Sequence, residues 1–554
     1  MMKRVVPRVI LGIAVLVVFG FSNPLTAQDE RSAAVLRGSV TPERAWWDLQ
    51  HYRLAVSVDV EAKSIEGTNE VRFRVLRPST RMQIDLQTPL EIRSVTWAEE
   101  SLPFERQGNV YWIDFPRELM EGNEESIVIA YGGHPTESEN PPWSGGLTWT
   151  KDEQGKPFIA TTCQGIGASI WWPCKDHGYD EPDAGMDILV TVPESLIAVS
   201  NGRLVETLED DDSATRTFHW RVTQPINNYC INMNIGDYAR FSDTFEGEAG
   251  ELTMDYWVLS YQLERARMHF KEAPRVIAAF EHWFGPYPFY EDSYKLVEVP
   301  YNGMEHQSSV TYGNGYENGY RGRDLSGTGV GFLFDFIIVH ESGHEWFGNN
   351  ISMQDAADMW IHEGFTNYSE NLFVEYHFSE KEAQDYVIGC RRLIRNDRPI
   401  IGTYGENQSG SGDMYYKGGN LLHTLRHIVN DDEKWRDILR GLNETFRHQT
   451  VTTQQVESYI SRQAGIDLSK YFDQYLRTTD IPKLVYSIDG DLLEFHFENV
   501  VDGFTMPVLV RVNGAEQWLH PTAEPQSSEF AGAIRSFEVD RNFYIESEEA
   551  RERR

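Results

Sequence analysis

His340 and His344 stand four residues apart with Glu341 between them, in the run HESGHEWFGNN (340–350). On a helix, positions i and i+4 share a face, so both imidazoles can reach one metal ion while the glutamate projects beside it. Neutral imidazoles suit Zn²⁺, and the carboxylate is placed to take a proton from a water held at an open coordination position. A third protein ligand is needed. The best candidate is Glu363, nineteen residues after His344, inside a second helical pattern, DMWIHEGFTNYSENLFVEYHF (358–378). Glu370 lies seven residues beyond Glu363, two turns along the same face, and is the candidate to orient a ligand imidazole. One Zn²⁺ per chain is expected. The apolar run GFLFDFIIV (331–339) ahead of His340 is fit for a buried helix that carries the two histidines.

The HExxHxWxGN pattern of residues 340–349, followed by Glu363-Gly364-Phe365, resembles the aminopeptidase N family of zinc metallopeptidases, gluzincins that include leukotriene hydrolase. The resemblance covers roughly residues 50–545 and leaves out the large helical C-terminal domain of the longest members. It implies an N-terminal all-β domain, a thermolysin-like, mainly helical catalytic domain and removal of single residues from peptides with a free N-terminus. Asn302-Gly303-Met304-Glu305-His306 resembles the family's exopeptidase motif, glycine-x-Met-Glu-Asn, with Asn302 and His306 as departures. An extended edge strand at Gly303 and Met304 would pair with the substrate backbone, and Glu305 at its end would bind the α-ammonium. Gln164, in TTCQGIGASIWWPCKDHGYDEPD (161–183), falls where the family places a helper for that amine. Tyr415, in DMYYKG (413–418), matches the family's oxyanion-stabilising tyrosine, while Tyr416 would point elsewhere. A zinc endopeptidase stays open because the amine motif is altered, and a bifunctional epoxide hydrolase by family analogy. A binding protein without catalysis is disfavoured, since three ligands and the base are all present.

The elements that must position these residues are legible as changes of period. Residues 50–245 alternate apolar and polar side chains in short runs such as HYRLAVSVDV (51–60), a β-rich pattern. Trp171 and Trp172 within it are candidates to pack in a domain interface. Residues 250–300 turn to three- and four-residue steps. KLVEVPYNGMEHQSSVTYG (295–313) is strand, irregular stretch, strand, and the glycine-rich 313–331 that follows is expected to be a mobile surface loop. Residues 380–480 are mainly helical. Strands return from Lys483, fit for a small C-terminal β-sandwich, before a charged tail expected to fray. The expected division is therefore a multidomain α+β chain: leader 1–27, β domain 28–247, catalytic domain 248–480, β-sandwich 481–545 and tail 546–554.

Lys3, Arg4 and Arg8 precede a thirteen-residue apolar stretch (9–21) and a cut expected between Ala27 and Gln28. This predicts a secreted or periplasmic protein without stable membrane association once the leader is removed. The formal charge of −35 loses three positive charges with the leader, leaving −38. That excess excludes nucleic acid and anionic lipid as natural partners. Four cysteines are few for an exported chain of this size; Cys163 and Cys174 are the candidates to pair.

Overall fold

The computed structural model describes residues 33–550; the leader expected at 1–27 lies outside them. A β-rich N-terminal domain is followed by a helical region, and strands close the chain. The N-terminal domain is built on an eight-stranded sheet whose central strands Trp47–Asp59 and Ser64–Val75 form a long antiparallel hairpin. Burial alternates along them, because successive side chains face opposite sides of a strand, and shifts phase only at the bulge between Leu49 and His51. A second sheet orders Ile197–Val199, Asn234–Gly236, Pro157–Thr162 and Gly146–Lys151, and Gln164 lies just past the end of the third of these strands. Trp171 and Trp172 are fully buried, Trp172 edge-on to Tyr52 at 4.9 Å, in a core cluster that also takes in Val297 and Met304 from the catalytic region. All four cysteines are free and buried, so the pairing of Cys163 with Cys174 does not occur.

Strand Tyr238–Gly247 pairs with Gly250–Leu259, and the hairpin belongs to a five-stranded sheet that continues through Tyr294–Glu298 and Val310–Tyr312 to Gly303–Met304. A division at 247/248 therefore cuts a hairpin. A period of two marks a strand but not the sheet it joins, which is why sequence placed this strand with the wrong partner. Gly303–Met304 is the outermost strand, antiparallel to Val310–Tyr312, with its other edge free. Val297 and Met304 on this sheet, with Val299 and Tyr301 between its strands, pack into the N-terminal core, which joins the two regions.

The helical region centres on Phe336–Gly343 and Trp360–His377. The first helix begins at Phe336, not at 331. Asp335 caps it, its carboxylate accepting from the amides of Ile337 and Ile338 at 2.9 and 3.2 Å, and the residues before it form a short turn, Val330–Phe332. Phe332 and Leu333 are 51 % and 36 % exposed, so the apolar run is not one buried helix. The stretch 313–331 is tied down by Asn314, whose amide donates to Gly319 O and to Asp335, and Tyr320 from it reaches the site. Among the described residues, no helix is long and apolar enough to cross a membrane.

At the C-terminal end, Lys483–Asp489 and Leu492–Glu498 lie in a four-stranded sheet and Val508–Val512 in a three-stranded one. The expected frayed tail is partly ordered: Glu546–Glu549 is an edge strand parallel to Lys483–Tyr486, with Lys483 Nζ 3.1 Å from Glu548.

Candidate active site

His340 occupies the last turn of the Phe336–Gly343 helix and His344 its C-cap, with ring centroids 5.0 Å apart. Each Nδ1 is already committed. That of His340 lies 2.7 Å from Glu370 Oε1, and that of His344 lies 2.9 Å from Phe347 O and 3.1 Å from Thr366 Oγ1. With the proton held on Nδ1, both Nε2 lone pairs face inward. Glu370 is itself fixed by the Asn367 amide at 3.1 Å and the Tyr386 hydroxyl at 2.7 Å. Glu363 Oε2 stands 3.6 Å from His340 Nε2 and 3.4 Å from His344 Nε2, buried and with no hydrogen-bond partner among the described residues. A buried carboxylate oxygen left in that state beside two imidazole lone pairs is a cation site by its donor chemistry, and its N₂O set suits Zn²⁺. Burial works to raise the Glu363 carboxyl, but His344 and His340 more than reverse this and hold it below its ordinary range. Burial raises the neighbouring Glu341 carboxyl above its ordinary range.

Local sequence explains the tight turn after the helix. Gly348 has φ +137°, and a Cβ there would sit 3.1 Å from His344 Nδ1. Trp346 is buried against Phe280 and Tyr287 and donates its indole N–H to Gly285 O at 3.0 Å, which anchors the turn to the end of the helix Glu272–Phe284.

The substrate-side residues converge on the same place. A cleft of about 590 Å³ is lined by Gln164, Gly303, Met304, Glu305, the metal-site residues and both tyrosines 415 and 416. Gln164 Nε2 donates to Glu305 Oε1 at 2.5 Å and to Glu363 Oε1 at 2.9 Å, so one amide ties the carboxylate of the edge strand to the carboxylate of the metal site. Gly303 is required by close approach: a Cβ would meet Ile337 Cγ2 at 2.5 Å and Thr311 O at 2.8 Å. Glu305 is 3 % exposed, and burial raises its carboxyl. The Tyr415 ring stacks on His340 at 6.0 Å, and burial, then the nearby Glu363, push its phenol well above the ordinary range, so it is a neutral O–H donor. Tyr416, expected to point elsewhere, also lines the cleft, tilted 41° from Tyr415 at 6.4 Å.

The two departures from the amine motif are absorbed locally. Asn302 Nδ2 donates to the Tyr320 hydroxyl at 2.6 Å. His306 is fully buried, 3.2 Å from Thr311 Oγ1, and burial pushes its imidazole down to about 3, leaving it neutral. Sequence reasoning missed Thr366, Asn367, Tyr320 and Tyr386, which touch the site through contacts that no short motif encodes. Tyr320 carried one signal, as an aromatic in an otherwise glycine-rich stretch.

Residues 49–230 match the Peptidase M1 N-terminal domain and residues 268–475 the Peptidase family M1 domain. Among curated relatives, the chain is 22 % identical over 514 residues to "Probable aminopeptidase 1" of Sulfurisphaera tokodaii, covering 88 % of this chain and 62 % of that protein. It is 24 % identical to leukotriene A-4 hydrolase of Xenopus laevis, covering 76 % of this chain and 68 % of the relative. It is 23 % identical to aminopeptidase B of Rattus norvegicus, covering 78 % and 69 %. An M1 zinc metallopeptidase variant from Deinococcus radiodurans bound to Tyr-Ser-Ala has a similar fold: TM-score 0.68 at 21 % identity, covering 80 % of this chain and 98 % of that one. That neighbour is named a zinc metallopeptidase, and in the present chain the Nε2 and carboxylate atoms of His340, His344 and Glu363 converge as a donor set that suits such an ion. With its two matched domains in order across most of its length, the chain belongs to peptidase family M1.

Proposed function

We propose that the protein is a zinc-dependent aminopeptidase that hydrolyses the first peptide bond of peptides with a free N-terminus. The observation that carries this is the Gln164 amide shared between Glu305 and Glu363, because it would set an ammonium anchor directly beside the metal-site carboxylate. His340, His344 and Glu363 would hold Zn²⁺, which when bound supplies Lewis acidity toward the scissile carbonyl. Glu341 takes a proton from the attacking water and delivers it to the leaving amine. The Tyr415 hydroxyl donates to the oxyanion as charge develops there. The free edge of Gly303–Met304 pairs with the substrate backbone, and Glu305, with the Gln164 carboxamide oxygen beside it, receives the α-ammonium.

The named relatives point the same way, two of them being called aminopeptidases. In the endopeptidase alternative, Glu305 and Gln164 have no function. Among the described residues, none lining the cleft is Lys, Arg or Asp, and Met304, Leu325, Phe336 and Ile337 make much of its wall apolar. Uncharged N-terminal side chains fit this wall best. We further infer that the helical region is thermolysin-like. The two C-terminal sheets form a small β-sandwich, since Phe495 and Phe497 of one and Val508 and Val510 of the other are buried in one cluster. The leader-like segment supports export to a periplasm or beyond. The test is a panel of aminoacyl-anilides with free and acetylated amines, with and without a chelator. Free amines should be cleaved, acetylated ones not, and the chelator should stop turnover. Comparable internal cleavage of acetylated peptides would establish the endopeptidase instead.

A further inference from the structure

The loop that presents Gln164 is held by groups from outside its own sheet. Gly165 O, one residue past Gln164, accepts from Arg37 Nη2 at 3.0 Å and from Asn407 Nδ2 at 2.9 Å. These donors are far apart in sequence. Arg37 lies in the short helix of residues 33–38 that opens the described chain, and Asn407 in the loop between the helices Glu380–Gly389 and Tyr416–Val429. The two pack directly on each other. A Cβ on Gly38 would meet Asn407 N at 2.2 Å, and His177 Nε2 sits 3.0 Å from Gly38 O, closing the other side of the segment.

The arginine is fixed at a second point. Its Nε lies 3.7 Å from Asp176 Oδ2, and that carboxylate accepts from the amides of Ala168 and Ser169 at 3.2 Å and from the Ser169 hydroxyl at 2.5 Å. The guanidinium also approaches Gly167 so closely that a Cβ there would lie 2.1 Å from Nη2. Gly165 has φ +73°, a left-handed turn that aims its carbonyl at the two donors. A loop carrying a functional side chain is precise only when its backbone is pinned, and here the pins are supplied by the first and the last thirds of the chain.

We propose that Arg37 and Asn407 are positioning residues that hold Gln164 through the Gly165 carbonyl, making the segment 33–39 a working part of the amine-reading site. The proposal rests on the reading of Gln164 as part of the ammonium anchor. It acts through binding, not through the chemistry: loosening the loop frees the Gln164 amide from Glu305 and Glu363 without touching the base or the imidazoles. Removing one charge-assisted hydrogen bond corresponds to a change of about tenfold or more.

The experiment uses the full-length, zinc-loaded protein and a free-amine aminoacyl-anilide. Arg37→Ala should raise KM about tenfold with kcat and zinc content held, and Arg37→Lys, which keeps a cation, should recover most of that loss. Asn407→Ala should do the same, and provides the measurement should Arg37→Ala fail to fold. In a Gln164→Ala background, Arg37→Ala should add nothing further, because its effect passes through that side chain. Full additivity of the two losses, or a loss of kcat and zinc that tracks a fall in thermal midpoint, would overturn the proposal. If Gln164→Ala itself leaves free-amine turnover unchanged, the amine reading of Gln164 falls and the proposal with it. If Gln164→Ala is damaging and both Arg37→Ala and Asn407→Ala are silent, the proposal alone falls.

Discussion

Glu341 is 7 % exposed and accepts no hydrogen bond from any described residue, whereas the other carboxylates around it are each tied to a neighbour. An unengaged carboxylate facing the cleft is what a proton acceptor requires. Glu341→Gln keeps the shape and removes the basicity, so turnover should fall by about 10²–10⁴-fold with zinc content unchanged, read by metal analysis beside the rate. Tyr415→Phe should lower kcat by roughly 10²–10³-fold and leave KM near its original value, since the hydroxyl acts where charge develops. If Tyr416→Phe shows that loss and Tyr415→Phe does not, the oxyanion donor is the neighbouring ring. Glu305→Ala should cost roughly 30-fold or more in kcat/KM on free-amine substrates, the size of a desolvated charge pair losing one partner. Acetylating the substrate should remove the same interaction, so the two losses should not add. That His340 and His344 converge, and that Glu363 and Glu370 share a helix face, was legible in the sequence because helical spacing converts directly into geometry. The fate of Asn302 was not, because the Tyr320 hydroxyl that engages it comes from a separate loop eighteen residues on.

At the scale of elements, the helix that carries His340 depends on one buried side chain. Asp335 is inaccessible to solvent and, besides its two cap bonds, accepts from the Tyr312 hydroxyl at 2.8 Å and the Asn314 amide at 2.9 Å, with His269 Nε2 at 2.7 Å. Asp335→Ala removes the cap and strands several donors. We expect a loss of about 2 kcal/mol or more and a thermal midpoint lower by roughly 4–8 °C, followed by circular dichroism on the metal-free protein. The same residue shows why the start of this helix was misplaced from sequence. Apolar period alone runs the helix back to residue 331, but an aspartate inside the run competes for the amides two and three positions ahead and begins the helix there. The tail erred in the opposite direction. Its charge suggested fraying, yet Glu546–Glu549 completes a sheet edge by backbone pairing, to which side-chain charge is nearly indifferent.

At the scale of the molecule, the junction of the two regions contains a buried acid. Glu181, from the N-terminal domain, is 8 % exposed and accepts from Asn227 Nδ2 at 3.3 Å. Burial pushes its carboxyl up from 4.5 to about 7, the Ser352 and Asn227 hydrogen bonds offsetting part of the rise. A folded value above the unfolded one means that its contribution is fully present below pH 4.5 and is lost as pH rises through 7. Glu181→Gln should therefore raise the thermal midpoint relative to the wild type at pH 8 and leave the two alike near pH 4.5. Equal midpoints at pH 8 would show that this carboxyl is not held protonated by burial. Because Gln164 comes from the N-terminal domain while Glu305 and Glu363 come from the catalytic domain, hydrolysis of a free-amine substrate would also gauge how well the two domains are seated. Separately expressed halves mixed in solution would regain turnover only as fast as they dock, so a colour change from an anilide would time the assembly of the protein itself.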